Sequence, residues 1–157
     1  MNIPVDHKPE ECRIVTVVSH AAAVAKAEVS RSGIPAAERS LRAKIAAAVA
    51  GCPQGVVGKG FTLFRVLPDG RLDLQPGVLL HGPFTGNGEV EPANLPSGQA
   101  VRLLLVGGYE GLAEAWQTVF RWCQEQDLKL ANTNWQIYGA WDADPAKLET
   151  ELFALLA

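Results

Sequence analysis

The sequence lacks an excess of positive charge. Fourteen Lys and Arg residues stand against seventeen Asp and Glu residues, and the formal net charge is −3. A surface that binds nucleic-acid phosphates needs clustered basic side chains. The one local concentration, at Arg39, Arg42 and Lys44, fits the solvated side of a helix. The composition therefore predicts no direct binding of nucleic acid.

The sequence also lacks long apolar stretches. No run reaches the roughly 18 apolar residues that a membrane-spanning helix requires. Residues 1–11 form a polar tail without the apolar core of a signal peptide. These features predict a cytoplasmic protein that does not enter a membrane.

Cysteine and histidine are few and dispersed. The chain has three cysteines. An odd number cannot be fully paired in disulfides, and the spacing is not that of a metal site. The cysteines are Cys12, Cys52 and Cys123. The histidines are also far apart in the chain. They are His7, His20 and His81. We predict reduced thiols, no metal site and no cofactor.

What the sequence does contain is a repeated pattern in a chain that is 48% hydrophobic, which suits one compact domain. Each half is expected to form a strand, a helix and two further strands. The predicted segments are a first half at 12–80, a connecting loop rich in Gly and Pro at 81–98, and a second half at 99–157. Pro35 is placed to open the first helix, and Gly51 with Pro53 to end it. The second helix is expected at 109–126.

This order predicts an α+β fold built from duplicated βαββ units with pseudo-two-fold symmetry. The expected antiparallel sheet carries two helices on one face and has a central ligand cleft between the halves. Because strand side chains alternate, Trp135 and Ile137 should share one face, with Gln136 and Tyr138 on the other.

Several short motifs occur in a fixed order between residues 95 and 156. They are Leu95-Pro96-Ser97-Gly98, Gly107-Gly108-Tyr109-Glu110, Trp122, Trp135-Gln136-Ile137-Tyr138, Asp144-Pro145 and Thr150-Glu151-Leu152. In this order and spacing the stretch resembles the GyrI-like small-molecule-binding domains, which include effector-binding domains of multidrug-responsive bacterial transcription regulators. The first half matches more weakly, through Gly60-Phe61-Thr62-Leu63-Phe64 and Asp73-Leu74-Gln75-Pro76-Gly77-Val78.

The resemblance implies a ligand-binding cleft with apolar walls and a few orienting polar groups, as small-molecule pockets usually have. The ligand-binding residues that it implies are Phe61, Phe64, Gln75, Leu104, Tyr109, Trp116, Gln136 and Tyr138. The chain departs from the family at Gln75 and Gln136, where the family carries Glu, and at Leu105-Val106, where it often carries a His. An amide keeps the shape of a carboxylate but has neither its charge nor its titration.

The departures favour a stand-alone module that senses or sequesters a small neutral, amphipathic or aromatic molecule such as a drug or toxin. Some members of the family hydrolyse cyclopropane-bearing compounds with a cleft Glu and Tyr. Because Gln136 cannot transfer a proton, we rank a hydrolase second and predict no catalytic residue. A protein-interaction module, like a gyrase-inhibitor protein of the family, is the third alternative. The sequence leaves open a monomer or a homodimer.

Overall fold

The computed structural model describes residues 12–157, so the predicted polar tail at 1–11 lies outside the described residues. The described chain has an α+β architecture. Its strands are β1 (Arg13–Val17), β2 (His20–Val24), β3 (Ala27–Val29), β4 (Val57–Val66), β5 (Leu72–Leu80), β6 (Glu91–Leu95), β7 (Gly98–Val106), β8 (Leu130–Tyr138) and β9 (Glu149–Leu156), and its helices are α1 (Ile34–Val49) and α2 (Leu112–Glu125). Single 3-10 turns lie at Arg31–Gly33, Tyr109–Gly111 and Pro145–Lys147. Of the helices in this part of the chain, none is long and apolar enough to cross a membrane.

The chain divides into two compact units. The first unit is Val18–Ser97, and the second unit combines β1 with Gly98–Ala157. Strands within each unit pair antiparallel. The α+β class with antiparallel strands, predicted from the sequence, is confirmed.

In the first unit the strand order is β4-β5-β2-β6, and β3 also pairs with β5. Helix α1 packs on β5 and carries Pro35 in its first turn, as predicted. Leu41 and Ile45 lie one turn apart on the buried side of the helix. They pack with Ala23, Val56 and other apolar side chains in one core.

Strand β6 lies inside the segment where composition indicates a loop. Its residues pair with β2, with Pro92 opposite Ala23. Strand β6 is the last strand in the order, and so an edge strand of this unit. Proline is tolerated on an edge strand because no neighbour there needs its missing N–H. The strand has no apolar alternation, so the sequence carries no periodic signal for it.

In the second unit the strand order is β1-β7-β9-β8, and α2 packs on β7. Strand β1 pairs with β7 from Arg13 opposite Arg102 to Val17 opposite Gly98. Its partner is therefore distant in the sequence, although β1 falls within the predicted first half. The buried residues of α2 are Ala115, Trp116, Val119 and Cys123.

Gly77 of β5 is required by a close approach. A Cβ at this position would lie 2.6 Å from Cζ of Phe61 and would also collide with the carbonyl oxygen of Ala23. We expect Gly77→Ala to lower the free energy of unfolding by about 1–3 kcal/mol, because overpacking forces neighbours to move. Urea denaturation measures this. Gly51→Ala is the control, since a Cβ there meets nothing within 4 Å; equal losses in both variants would refute the explanation.

Candidate functional site

Strand register divides the side chains of the second unit between two faces. Gln136 pairs with Leu152, and Leu152 pairs with Leu103. Directly paired residues of antiparallel strands project to the same side. Trp116 of α2 donates a hydrogen bond to Gln136, so this is the face that α2 covers. Trp135, one position away, therefore projects from the opposite face, where it stacks on Phe153.

Trp116, Gln136 and Tyr138 form a chain of hydrogen bonds that we name the amide network. Nε1 of Trp116 donates to Oε1 of Gln136 over 2.7 Å, and Nε2 of Gln136 donates to the Tyr138 hydroxyl over 2.8 Å. An indole N–H can only donate, so the oxygen of the Gln136 amide must face it. Both ends of the amide are thereby held, and its orientation is fixed.

Two further aromatic rings adjoin the amide network. Tyr109 meets Tyr138 edge to face, with ring centroids 5.8 Å apart, and is 40% exposed. Phe120 stacks on Trp116 with centroids 5.4 Å apart. Sequence reasoning missed Phe120, although its position four residues after Trp116 puts both rings on one side of a helix. The result is a patch of π-faces beside a neutral amide, with Tyr109 at its exposed edge.

Leu104 does not join this group. It pairs with Glu151 of β9 and so projects from the face opposite α2. On that face Glu151 accepts hydrogen bonds from Arg102, with the Nη2–Oε2 distance 2.8 Å. Leu104 is therefore separated from Gln136 by the sheet itself.

In the first unit the three predicted site residues divide between the faces of the sheet. Phe64 pairs with Leu74 of β5. Because side chains alternate along a strand, Leu74, Pro76 and Val78 project from the same face, and Val78 packs in the core with α1. Phe64 thus lies on the α1 face. Phe61 and Gln75 project from the other face; Phe61 is completely buried, and Nε2 of Gln75 donates to the Asp73 carboxylate over 3.2 Å.

A second polar cluster, which we name the guanidinium network, lies on the α1 face. The Arg42 guanidinium donates to the carbonyl oxygens of Phe61 and Gly77 and to Oγ1 of Thr62. Its Nε also donates to the Glu38 carboxylate over 3.1 Å. Sequence analysis assigned Arg42 to a solvated face and missed this role. The signal that could have found it is the i,i+4 spacing of Glu38 and Arg42.

The two networks occupy corresponding places in their units. Glu38 and Trp116 are each the fifth residue of a helix. Each helix residue also contacts a strand residue that directly follows a buried aromatic side chain. Thr62, which follows Phe61, donates to Glu38 over 2.8 Å. Gln136, which follows Trp135, accepts from Trp116. The duplication therefore extends to side-chain contacts, with a charged cluster in one unit and a neutral one in the other.

An open cavity of about 390 Å³ lies at the start of α2. Its lining residues are Leu105, Val106, Gly107, Gly108, Glu110, Gly111, Glu114, Ala115 and Thr118. The cavity does not contain the amide network. It carries two carboxylates, and the Glu110 carboxylate folds back over Gly108, where a Cβ would collide with it. The aromatic patch and this cavity are therefore distinct features of the second unit.

Burial makes the thiols of Cys12 and Cys123 poorly reactive. Burial, and to a smaller extent the neighbouring Cys123 thiol, raises the pKa of Cys12 from 9.0 to about 11. Burial also raises the pKa of Cys123. Only thiolate attacks disulfide reagents, so a rise of this size lowers the reactive fraction of Cys12 at pH 8 about 100-fold. Within residues 12–157, no group of three or more His, Cys, Asp or Glu side chains could hold a metal ion.

In a Cys52→Ser variant, we expect Cys12 to react with a disulfide dye at pH 8 about 100-fold more slowly in the folded chain than in urea, and Cys123 also to react more slowly when folded. The variant leaves Cys12 and Cys123 as the reporting thiols. Stopped-flow absorbance gives both rates. Equal rates in the folded and unfolded chain would show that neither thiol is protected.

No protein-family model and no curated protein matches the chain. Solved structures do match. The C-terminal domain of EcmrR superposes with a TM-score of 0.75 at 16% identity, covering 94% of this chain and 97% of that domain. In the EcmrR–DNA complex the match covers 57% of the EcmrR chain, so the present chain spans little more than half of that protein's length.

Two further matches bear on the site. SAV2435, solved with bound tetraphenylphosphonium, has a TM-score of 0.72 at 13% identity, with 94% of each chain covered. A hydrolase encoded by lin2189 from Listeria innocua has a TM-score of 0.60 at 14% identity, covering 95% of this chain and 93% of the hydrolase. The chain thus shares its fold with a regulator domain, a hydrolase and a protein solved with a bound small molecule. The chain has the GyrI-like fold that its motifs predict, shared with the C-terminal domain of EcmrR.

Proposed function

We propose that the chain binds a small neutral molecule of aromatic or amphipathic character on the α2 face of its second unit, and so senses or sequesters it. The observation that carries this proposal is the amide network. A carboxylate at position 136 would place a charge among the rings of Trp116 and Tyr138, whereas the Gln136 amide offers only hydrogen bonds. The site is therefore polar enough to orient a guest but brings no charge to attract a cation.

The aromatic rings supply the binding area. Tyr109 is the most exposed of them and stands edge to face on Tyr138. Aromatic side chains bury large areas and favour offset or edge-to-face contacts with other rings. A flat or multi-ring guest can therefore continue the arrangement that Tyr109 and Tyr138 begin. The bound tetraphenylphosphonium of SAV2435 supports a multi-ring guest for this fold, although that guest is a cation.

A matched pair of compounds tests the proposal. Tetraphenylphosphonium and triphenylphosphine oxide are both multi-ring phosphorus compounds, but only the first is charged. A guest that binds only the folded chain raises the melting temperature, and we expect the neutral oxide to raise it more at equal concentration. Tyr109→Ala should reduce the shift, while Val18→Ala, a change at an exposed residue of the first unit, should not. A larger shift with the cation would contradict a neutral site.

Hydrolysis is the second candidate, favoured by the likeness to the Listeria innocua hydrolase. Mass spectrometry of each compound after incubation distinguishes the two functions. A pure binding module returns every compound unchanged. Turnover that survives Gln136→Ala would place any chemistry away from the amide network.

A further inference from the structure

Two histidines that are distant in sequence stand side by side in the first unit. Strand β2 pairs with β5 in the register Ala22 opposite Leu79, and the same register, continued by two residues, puts His20 opposite His81. Their ring centroids are 5.2 Å apart, and the rings are perpendicular at 89°. Directly opposite positions on antiparallel strands have Cβ atoms about 4.5–5.5 Å apart. His81 directly follows the end of β5, and the observed distance between the rings places the two imidazoles within reach of one ion.

The His20 ring is in a tautomer that suits metal binding. Its Nδ1 lies 2.9 Å from the carbonyl oxygen of Ala21. A carbonyl oxygen can only accept, so Nδ1 carries a proton, and in the neutral ring Nε2 has the lone pair. Histidines that ligate metals commonly donate their other ring N–H to such a carbonyl, which fixes the ring.

The backbone of His81 is fixed by a hydrogen bond, and its ring packs over a neighbouring glycine. Its backbone N–H donates to the Val56 carbonyl over 2.7 Å. Its ring lies over Gly58, where a Cβ would be 2.5 Å from Nε2 and 3.0 Å from Cδ2 of His81. Nε2 of His81 faces Gly58, so binding one ion together with His20 requires the exposed His81 ring to turn about its side-chain bonds.

We propose that His20 and His81 together bind a divalent first-row transition-metal ion, with water completing the coordination. Neutral imidazole is a good ligand for Ni²⁺, Cu²⁺ and Zn²⁺. The site lies in the first unit and uses none of the residues of the amide network, so it stands independently of the proposed ligand function. Two protein ligands make the bound ion exchangeable rather than structural, since structural zinc sites have four.

Calorimetric titration of the untagged chain with Ni²⁺ tests the site. We expect one ion per chain in the wild type. His20→Ala and His81→Ala should each weaken binding at least about tenfold, because losing a ligand costs no less than losing an outer-shell partner. His7→Ala is the matched control and should bind Ni²⁺ like the wild type. Unchanged affinity in either of the first two variants, or the absence of saturable binding to the wild type, overturns the proposal.

A second readout guards against misfolded variants. Melting without metal establishes that each variant is folded, and His20→Gln and His81→Gln replace any alanine variant that melts early. Ni²⁺ should raise the melting temperature of the wild type, since it binds the paired strands, and should leave that of the His20→Gln/His81→Gln double variant unchanged. An equal rise in both proteins would locate the ion elsewhere and contradict the site.

Discussion

Gln136→Glu is expected to bind tetraphenylphosphonium about 10- to 100-fold more tightly than the wild-type chain. Two opposite charges about 5 Å apart attract each other by roughly 3 kcal/mol at an effective dielectric constant of about 20. Desolvation of the carboxylate removes part of that gain. Since each 1.4 kcal/mol is about tenfold in affinity, one to two orders of magnitude remain. Affinity for triphenylphosphine oxide should not rise.

The amide network can accept this substitution without rearrangement. Trp116 donates to Oε1 of Gln136 and can donate equally to a carboxylate oxygen. Tyr138 now accepts from Nε2 of Gln136, and a hydroxyl can turn from acceptor to donor. Glu and Gln are nearly isosteric, so the variant should melt close to the wild type. A melting temperature close to that of the wild type would show that a change in affinity does not result from misfolding of the variant.

The pH dependence of cation affinity tests whether the new carboxylate acts at the binding site or only through the overall charge of the chain. Protonation of Glu at position 136 removes the charge, so cation affinity in the variant should fall as the pH is lowered, whereas Gln136 has no titration to contribute. Gln117→Glu is the control, because it makes the same charge change at an exposed position of α2. Calorimetry showing equal cation affinity in the Gln136→Glu and Gln117→Glu variants would refute a site at Gln136.

The fold was predictable where local patterns decide it. The helical spacing of Leu41 and Ile45, the alternation around Gln136 and the ordered motifs all act within one element or between neighbours. The pairing of β1 with β7 and the existence of β6 escape such reasoning. The pairing of β1 with β7 and of β6 with β2 depends on packing between strands that are distant in the sequence. Strand β6 also has no apolar alternation from which it could be predicted.

The arrangement of the candidate site was partly predictable for the same reason. Alternation puts Gln136 and Tyr138 on one face, and the structure brings Trp116 and Tyr109 to them. Leu104 shows the limit, because it stands between Leu103 and Leu105, and a run of apolar residues does not say which face a helix covers. The roles of Arg42 and Thr62 depend on contacts between a helix and a strand about twenty residues apart, which no local pattern encodes.

Arg42→Met is expected to lower the free energy of unfolding by about 2–4 kcal/mol. The guanidinium donates to the carbonyl oxygens of Phe61 and Gly77, which belong to two paired strands, and ties α1 to both. Met fills much of the same volume but supplies no donor, so these acceptors lose their bonds. The Glu38 carboxylate also loses its cation, and removing one partner of a part-buried ion pair costs more than removing both.

That asymmetry gives the decisive comparison. Urea denaturation should show that Glu38→Gln/Arg42→Met is more stable than Arg42→Met alone, because the double variant leaves no unpaired carboxylate beside Thr62. Arg39→Met is the control, since Arg39 is exposed on the same helix and its loss should change the free energy of unfolding by less than about 0.5 kcal/mol. If the Arg39 and Arg42 variants lose equal stability, α1 is held by its apolar face alone, and the guanidinium network is a surface feature. A loss confined to the Arg42 variant would instead show that the first unit uses a charged network where the second uses the neutral one of Trp116 and Gln136.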